Sequence, residues 1–394
     1  MRRIFLTCAG LLALLQSYTQ VTDSAGFKSR KLKIEEINLV SSYYHQEGNN
    51  AAVTGGIGSQ KLTDISNVID LKLIRYDKKQ RKHSIAAEIG IDHYTSASSD
   101  MIDLKANSSA SRGDTRLYPS LSWTREDEQA GTSIGAGLSY SGEYDYKSTG
   151  GFVSASVKTR KRSGELTAKF QAFIDKVNKV IPVEFRTGAS SDKNESTHSR
   201  NTFAGSLSYS QIINQQLQVM ILGDIIQQSG LLSLPFYRVY FNDGSAHLET
   251  LPDNRVKLPL AVRASYFAGD KIILKGFYRF YTDNWGIRSN TASLEVPVKI
   301  TPFVSVSPFY RYYTQTESRY FAPYQGHTTQ NRFYSSNYDL SKFNSSFFGA
   351  GIRLAPPAGV FGFSHLSMLE IRYGHYSKNI DMNANVITLH LRVK

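Results

Sequence analysis

A two-residue alternation of apolar and polar side chains, sustained from about Glu36 to the last residue, constrains the fold of this chain more than anything else in it. Successive side chains of a strand point to opposite faces, so this period predicts β-structure with one greasy face throughout. At the C-terminus Ile387, Leu389, Leu391 and Val393 share a face, and Thr388, His390, Arg392 and Lys394 share the other. The same division separates Leu258, Leu260, Val262, Ala264 and Tyr266 from Lys257, Pro259, Ala261, Arg263 and Ser265. Followed along the chain, it predicts about sixteen strands, with fourteen as the other even count. They fall near 36–47, 65–77, 83–95, 115–126, 131–145, 150–160, 163–177, 200–212, 215–228, 256–267, 270–283, 288–300, 302–315, 346–355, 366–377 and 384–394. Many run about ten to fifteen residues, longer than the five or six usual in soluble sandwiches and suited to tilted membrane strands.

The connections alternate in length. Those after even-numbered strands are mostly short, as at "KKQRK" (78–82), "EDEQAG" (126–131) and "RKR" (160–162), with 355–365 the longer exception. Those after odd-numbered strands include the long stretches 96–114, 178–199, 229–255 and 316–345. Short turns at one end and long loops at the other mark an up-and-down outer-membrane barrel with periplasmic turns and extracellular loops. Closure has a plain cause: an unpaired backbone group in hydrocarbon costs several kcal/mol, so a sheet that crosses a bilayer can have no edge. On the apolar face Trp123 and Tyr266 lie near one set of strand ends and Tyr140, Tyr312 and Tyr373 near the other, as interfacial girdles require.

The 394 residues contain no other apolar run of about eighteen, which excludes an ordinary helical membrane protein. Met1-Arg2-Arg3, the apolar run Ile4 to Leu15 and the small residues Ser17 and Thr19 predict a signal peptide over 1–19, with Ser24 and Ala25 as alternative cut sites. A short periplasmic segment, 20–35, would precede the barrel, 36–394. Cys8, the only cysteine, falls in the leader, so disulfides, thiolate metal sites and cysteine catalysis are excluded together. The formal charge of +13 becomes +11 once Arg2 and Arg3 are removed. The basic residues are scattered, and their two clusters, 78–82 and 158–162, fall in turns, so nucleic acid is not the expected partner; outer-membrane lipid is.

With the apolar face in lipid, the other face lines the lumen and is strongly charged. Its basic residues include Lys72, Lys158, Lys169, Lys257, Arg263, Lys275, Arg279, Lys299, Arg311, Arg353, Arg372 and Arg392, and its acids include Asp70, Glu88, Asp92, Glu295 and Glu370. Two readings stand: a water-filled path biased toward anions, or a closed lumen whose opposite charges pair. Polar groups of the outer loops, His45, Glu47, Asn49 and Asn50 in the first hairpin and His247, Asp253 and Arg255 in 229–255, supply a binding surface or an inward lid.

Candidate chemistry is sparse. Gly55-Gly56-Ile57-Gly58 resembles a phosphate loop, yet no buried parallel strand precedes it, no helix follows, and the Gly-Lys-Ser/Thr of a Walker loop is missing. One histidine with two scattered carboxylates, His45, Glu47 and Asp64, makes a weak metal set, and the residues 45–64 read instead as a polar outer loop. No cofactor and no spaced Ser/His pair stands out, so an enzyme is not expected, with an outer-membrane hydrolase kept as the second alternative.

Three stretches join the barrel pattern to a known family. They are "SSYYHQEGNNAAVTGGIGSQKLTD" (41–64), "LSLPFYRVYF" (232–241) with "LPDNR" (251–255), and "YSSNYDLSKFNSSFFGAGIRLAPP" (334–357) continued by "LSMLEIRYGHYSKN" (366–379) and "NANVITLHLRV" (383–393). With them the chain resembles, from about residue 36 to its end, the exported family known as domain of unknown function 3570. The resemblance implies an outer-membrane β-barrel of a Gram-negative bacterium without an established activity. It further implies association with genes for thioredoxin-like proteins, a small lipoprotein and a flavin transferase, hence a supporting role in an envelope redox system. The chain departs from typical outer-membrane barrels by ending Leu391-Arg392-Val393-Lys394, without a terminal aromatic residue. The leading expectation is a channel or transporter with a mixed-charge, basic-leaning lumen; the alternative is a plugged barrel that scaffolds a periplasmic or lipoprotein partner.

Overall fold

The structure, a computed structural model, describes residues 31–95, 113–179, 181–185, 196–234 and 236–394. The expected leader, the greater part of loop 96–114 and half of 178–199 lie outside them, as does most of the segment 20–35. The strands are β1 (Lys33–Gly48), β2 (Leu62–Tyr76), β3 (Lys82–Thr95), β4 (Gly113–Asp127), β5 (Thr132–Gly142), β6 (Tyr146–Lys158), β7 (Gly164–Lys179), β8 (Ser196–Ile212) and β9 (Leu217–Gly230). A small hairpin, β10 (Arg238–Tyr240) and β11 (Ala246–Leu248), interrupts the series. Then come β12 (Asn254–Ala268), β13 (Ile272–Asp283), β14 (Arg288–Glu295), β15 (Val298–Lys299), β16 (Val304–Gln315), β17 (Phe343–Leu354), β18 (Leu366–Lys378) and β19 (Met382–Val393).

Every wall strand pairs antiparallel with its neighbours in the chain; β9 pairs with β12 across the small hairpin, and β1 pairs with both β2 and β19, which closes the sheet. β14 and β15 occupy one wall position, broken at Val296-Pro297 because proline has no N–H for the ladder. The 17-stranded sheet is therefore a closed all-β barrel of sixteen wall positions. No helix among the described residues is long and apolar enough to cross a membrane.

The apolar half of each strand faces outward. Ile89, Leu121, Val153, Phe170, Leu207, Ile225, Leu260, Leu294, Ile352 and Ile371 are all exposed, and Leu138 is 72% exposed. A soluble surface does not carry so continuous an apolar band, whereas a barrel in lipid requires one. Trp123 and Tyr266 close the band toward the short turns, and Tyr140, Tyr312 and Tyr373 close it toward the long loops, all on the outward face.

Several strand boundaries depart from expectation; β8 starts at Ser196, not 200, and β17 at Phe343, not 346. The barrel starts at Lys33, not 36, and β1 runs on through His45 and Glu47, which pair across to β19 and β2, so its loop spans 49–61. Both faces of this extension are polar, so backbone pairing persists where the alternating signal fades. The fifth hairpin turns at 143–145, not at 146–149, leaving a tight connection on the long-loop side.

Candidate functional site

The side chains opposite the apolar band divide by charge around the ring. β2 and β3 carry Asp70, Glu88 and Asp92, with Lys72 and Lys82 held by Glu35 at the short-turn end; β12 and β13 carry Lys257, Arg263, Lys275 and Arg279, with Asp283 held by Arg255 at the long-loop end. Six wall positions lie between these two pairs of strands in either direction, so they face each other across the barrel. The basic wall continues through Lys299 on β15, Arg311 on β16, Arg353 on β17 and Arg372 on β18. Lys169, on β7, stands between the two walls.

Pairing neutralises only part of this charge. Lys72 meets Glu35 at 2.7 Å, and Arg392 meets Glu36 at 3.2 Å. Glu295 holds Lys275 at 3.8 Å and Arg372 at 3.4 Å, and Arg372 also touches Glu370 at 3.2 Å. The reach from β18 to β14 spans two intervening strands, which a side chain makes only from the concave face. Among the described residues no acid lies within ion-pair distance of Lys169, Lys257, Arg263, Arg279, Lys299, Arg311 or Arg353. Several of these lie over aromatic rings instead: Lys169 over Phe152 at 4.4 Å and Arg311 over Phe347 at 4.9 Å. On the acidic wall Asp92 accepts from Ser66 (2.6 Å) and Tyr118 (2.8 Å), and Asp70 from Asn38 (3.1 Å). Tyr118 lies flat over Gly90, where an added Cβ would stand 2.0 Å from its ring. A cavity of about 350 Å³ opens on the basic wall, lined by Glu295, Phe309, Arg311, Phe347, Arg372 and Thr388.

At the long-loop end, loops from distant parts of the ring interlock into a cap. The β10–β11 hairpin turns at Asp243-Gly244, and its strand β10 carries Arg238, whose guanidinium donates to Glu184 at 2.5 Å and to the Val53 carbonyl at 2.8 Å. Phe241 bridges to His327, and Thr250 and Tyr334 exchange backbone hydrogen bonds, which ties this loop to 316–342. The Gly55-Gly56 turn is the seat on which the cap rests. Both glycines have positive φ (83° and 88°), and a Cβ would stand 2.5 Å from the Tyr240 ring at Gly55 and 2.7 Å from the Ser336 carbonyl at Gly56. Val239, Phe241, His327, Ser335 and Ser336 are buried within the cap, and Trp285, Ile287 and Leu340 form an apolar cluster beside it. The loop 316–342 reaches down to the wall, where Lys378 pairs with Asp339 at 2.7 Å and Gln315 donates to the carbonyls of Asp339 and Ser341.

Glu249 is the deepest acid of the cap. Ser335 Oγ donates to it at 2.5 Å and Leu234 N–H at 2.7 Å, and burial pushes its carboxyl up to about 7 despite those bonds.

The loop residues expected to form a binding surface therefore fall into different settings. Asn50 donates to the Ile380 carbonyl at 2.6 Å, Asn49 and Asp253 are exposed, and His247 packs on Phe241 with ring centroids 4.4 Å apart. Arg255 lies within β12, paired with Asp283 at 2.5 Å and stacked over Trp285. His45 and Glu47 approach to 3.5 Å, but the register puts Asp64 opposite Tyr44, on the other face of the sheet, so the three do not converge. Ser245 contacts both Asp243 (2.6 Å) and His247 (3.0 Å), an order that leaves no carboxylate on the imidazole as hydrolase chemistry needs. Arg238, Glu249 and Ser335 were not among the expected site residues, although Asp243-Gly244 between two short alternating runs is a hairpin signal that points to the fold around them.

A family model described as "Protein of unknown function (DUF3570)" matches residues 95–360. No curated protein matches the chain. Among solved structures it is similar to Pseudomonas aeruginosa OccK9 (OpdG), with 10% identity over 92% of this chain and 98% of that one and a TM-score of 0.43. A BenF-like porin from Pseudomonas fluorescens Pf-5 matches with 9% identity over 92% and 98% at 0.43. Pseudomonas aeruginosa OccD3 (OpdP) matches with 7% identity over 93% of each chain at 0.44.

Proposed function

Since the chain belongs to the DUF3570 family, we propose that it is an outer-membrane channel of a Gram-negative bacterium, with a mixed-charge lumen that leans basic. One observation carries this reading: an acidic arc on β2 and β3 faces a basic arc on β12 and β13, and most of the basic arc has no ion-pair partner among the described residues. Charges left unpaired on a concave wall need water around them, because burying them dry costs several kcal/mol each. A water-filled path with excess fixed positive charge concentrates anions. The cap narrows the long-loop end of that path, as an inward lid would.

The reconstituted protein should conduct in planar bilayers and favour anions over cations in a salt gradient. A membrane that stays silent at every voltage would overturn the channel reading.

A second reading has its own support. The cap packs across the mouth with a buried interior, and the longest connection on the short-turn side exposes Phe361 (77%) and Phe363 (67%) around the buried Val360. A barrel plugged by its loops and offering that knob would scaffold a periplasmic or lipoprotein partner of an envelope redox system. Affinity purification from native membranes in gentle detergent tests it, and recovery of the barrel alone counts against it.

A further inference from the structure

We propose that the outer wall of β2, β3 and β4, at the short-turn rim, holds the phosphate headgroup of an anionic phospholipid. The inference rests on the membrane reading above and adds a specific lipid site to it. Register places Arg75 beside His83 and His83 beside Arg125, a row of three across adjacent strands. The row next to it, one outward step closer to the membrane centre, is Leu73, Ile85 and Trp123. A cleft of about 670 Å³ opens here, lined by Lys31, Leu32, Arg75, Asp77, His83, Ile85 and Trp123.

The charges are sorted as a headgroup site needs. Asp77, the one acid in the cleft, is already engaged: Arg81 pairs with it at 2.6 Å, and His83 Nε2 lies 3.3 Å away. Trp123 Nε1 donates to His83 Nδ1 at 3.2 Å, which leaves the imidazole proton on Nε2, directed at Asp77. His83 is thus a positioning residue that fixes the indole at the rim. Lys31, Arg75 and Arg125 have no acid within ion-pair distance among the described residues, and the turn beyond adds the exposed Lys78 and Lys79. The ligand must present a negative group to the arginine row and hydrocarbon to Leu73, Ile85 and the rest of the apolar band. An anionic phospholipid joins both in one molecule, whereas a soluble protein partner would leave the apolar row uncovered. Arginine suits the role because its planar donor fork matches phosphate oxygens.

The test is lipid retention. The full chain is folded into phosphatidylcholine vesicles containing a minor share of phosphatidylglycerol, extracted mildly, and its co-isolated lipids are counted by native mass spectrometry. Wild-type protein should carry phosphatidylglycerol enriched roughly thirtyfold over its bulk share, the scale expected of two basic groups at about 1 kcal/mol each. R75Q/R125Q should bring retention to the bulk share, R75K/R125K should keep only part of it because the charge stays and the donor fork is lost, and R160Q/K161Q in the other basic turn should change nothing. Folding of each variant is read from its heat-dependent gel mobility. Enrichment should survive excess inorganic phosphate; its loss would assign the row to free anions and overturn the lipid site. Bulk-share retention by wild type, or equal enrichment in folded R75Q/R125Q, would overturn it too while leaving the barrel's membrane residence intact. A wild-type chain that enters no vesicle would overturn the membrane reading and this site together.

Discussion

The barrel wall and the cap are built from the same chain by opposite means. In the wall, sixteen positions are joined by backbone ladders, and the outward side chains need only be apolar. In the cap, short bridges and side-chain-to-backbone bonds do the joining: Arg238 to the Val53 carbonyl, Glu249 to Ser335, Gly56 under Ser336. The wall therefore tolerates any apolar substitution and fails on charge, whereas the cap fails on small changes of shape or protonation. A wall lesion should act on insertion, and a cap lesion on the mouth alone.

The largest effect expected from this contrast is at Leu138. Leu138→Arg puts a cation in the apolar band and should cost about 2–4 kcal/mol of folding into vesicles, while Leu138→Ala should cost far less. Urea titrations of folding in vesicles measure both. Equal costs would mean that Leu138 does not face hydrocarbon.

Next comes the cap's response to pH. Glu249 has its carboxyl pushed up to about 7 by burial, from an ordinary 4.5. A raised pKa means that the folded cap prefers the proton, so the stability tied to it is fully present below pH 4.5 and lost as pH rises through 7. The full difference corresponds to about 3 kcal/mol. Proteolysis of loops 231–253 and 316–342 should quicken across that window, and Glu249→Gln should flatten the profile without altering the wall's urea midpoint. Gly56→Ala should act on the cap at every pH, by about 1–3 kcal/mol, because it adds strain at a φ of 88° and a contact 2.7 Å from the Ser336 carbonyl.

The same contrast explains what the sequence discloses. Strands of the wall are legible one at a time, because each carries its own alternation: 83–95 was the expected span where Lys82–Thr95 is found, and 163–177 where Gly164–Lys179 is found. The signal fades where both faces are polar, as at His45–Gly48, and it misplaces the turn at 143–145. The cap has no period. Arg238 and the carbonyl it holds are 185 residues apart, and nothing local to "TGGIGS" states that Tyr240 and Ser336 will close over its glycines. Those glycines were legible as a backbone turn, and their second duty, leaving room for two other loops, was not. The charge split of the lumen sits between these cases: each residue's face follows from alternation, but opposition of β2–β3 to β12–β13 needs the closed ring.

The smallest effect on stability is expected where the proposed effect on transport is clearest. Arg263 and Arg279 stand on the basic wall, Arg263 5.9 Å from the centre of the Phe277 ring, with no acid in ion-pair reach among the described residues. Removing charges that are exposed and unpaired should change folding by less than about 0.5 kcal/mol. R263Q/R279Q should nonetheless move the reversal potential in a salt gradient toward cations, because two fixed positive charges leave the basic wall of the proposed path. Glu88→Gln on the facing wall should move it the other way. If both variants shift it in the same direction, or neither does, the ions do not pass between these two walls, and the path lies elsewhere or is sealed by the cap.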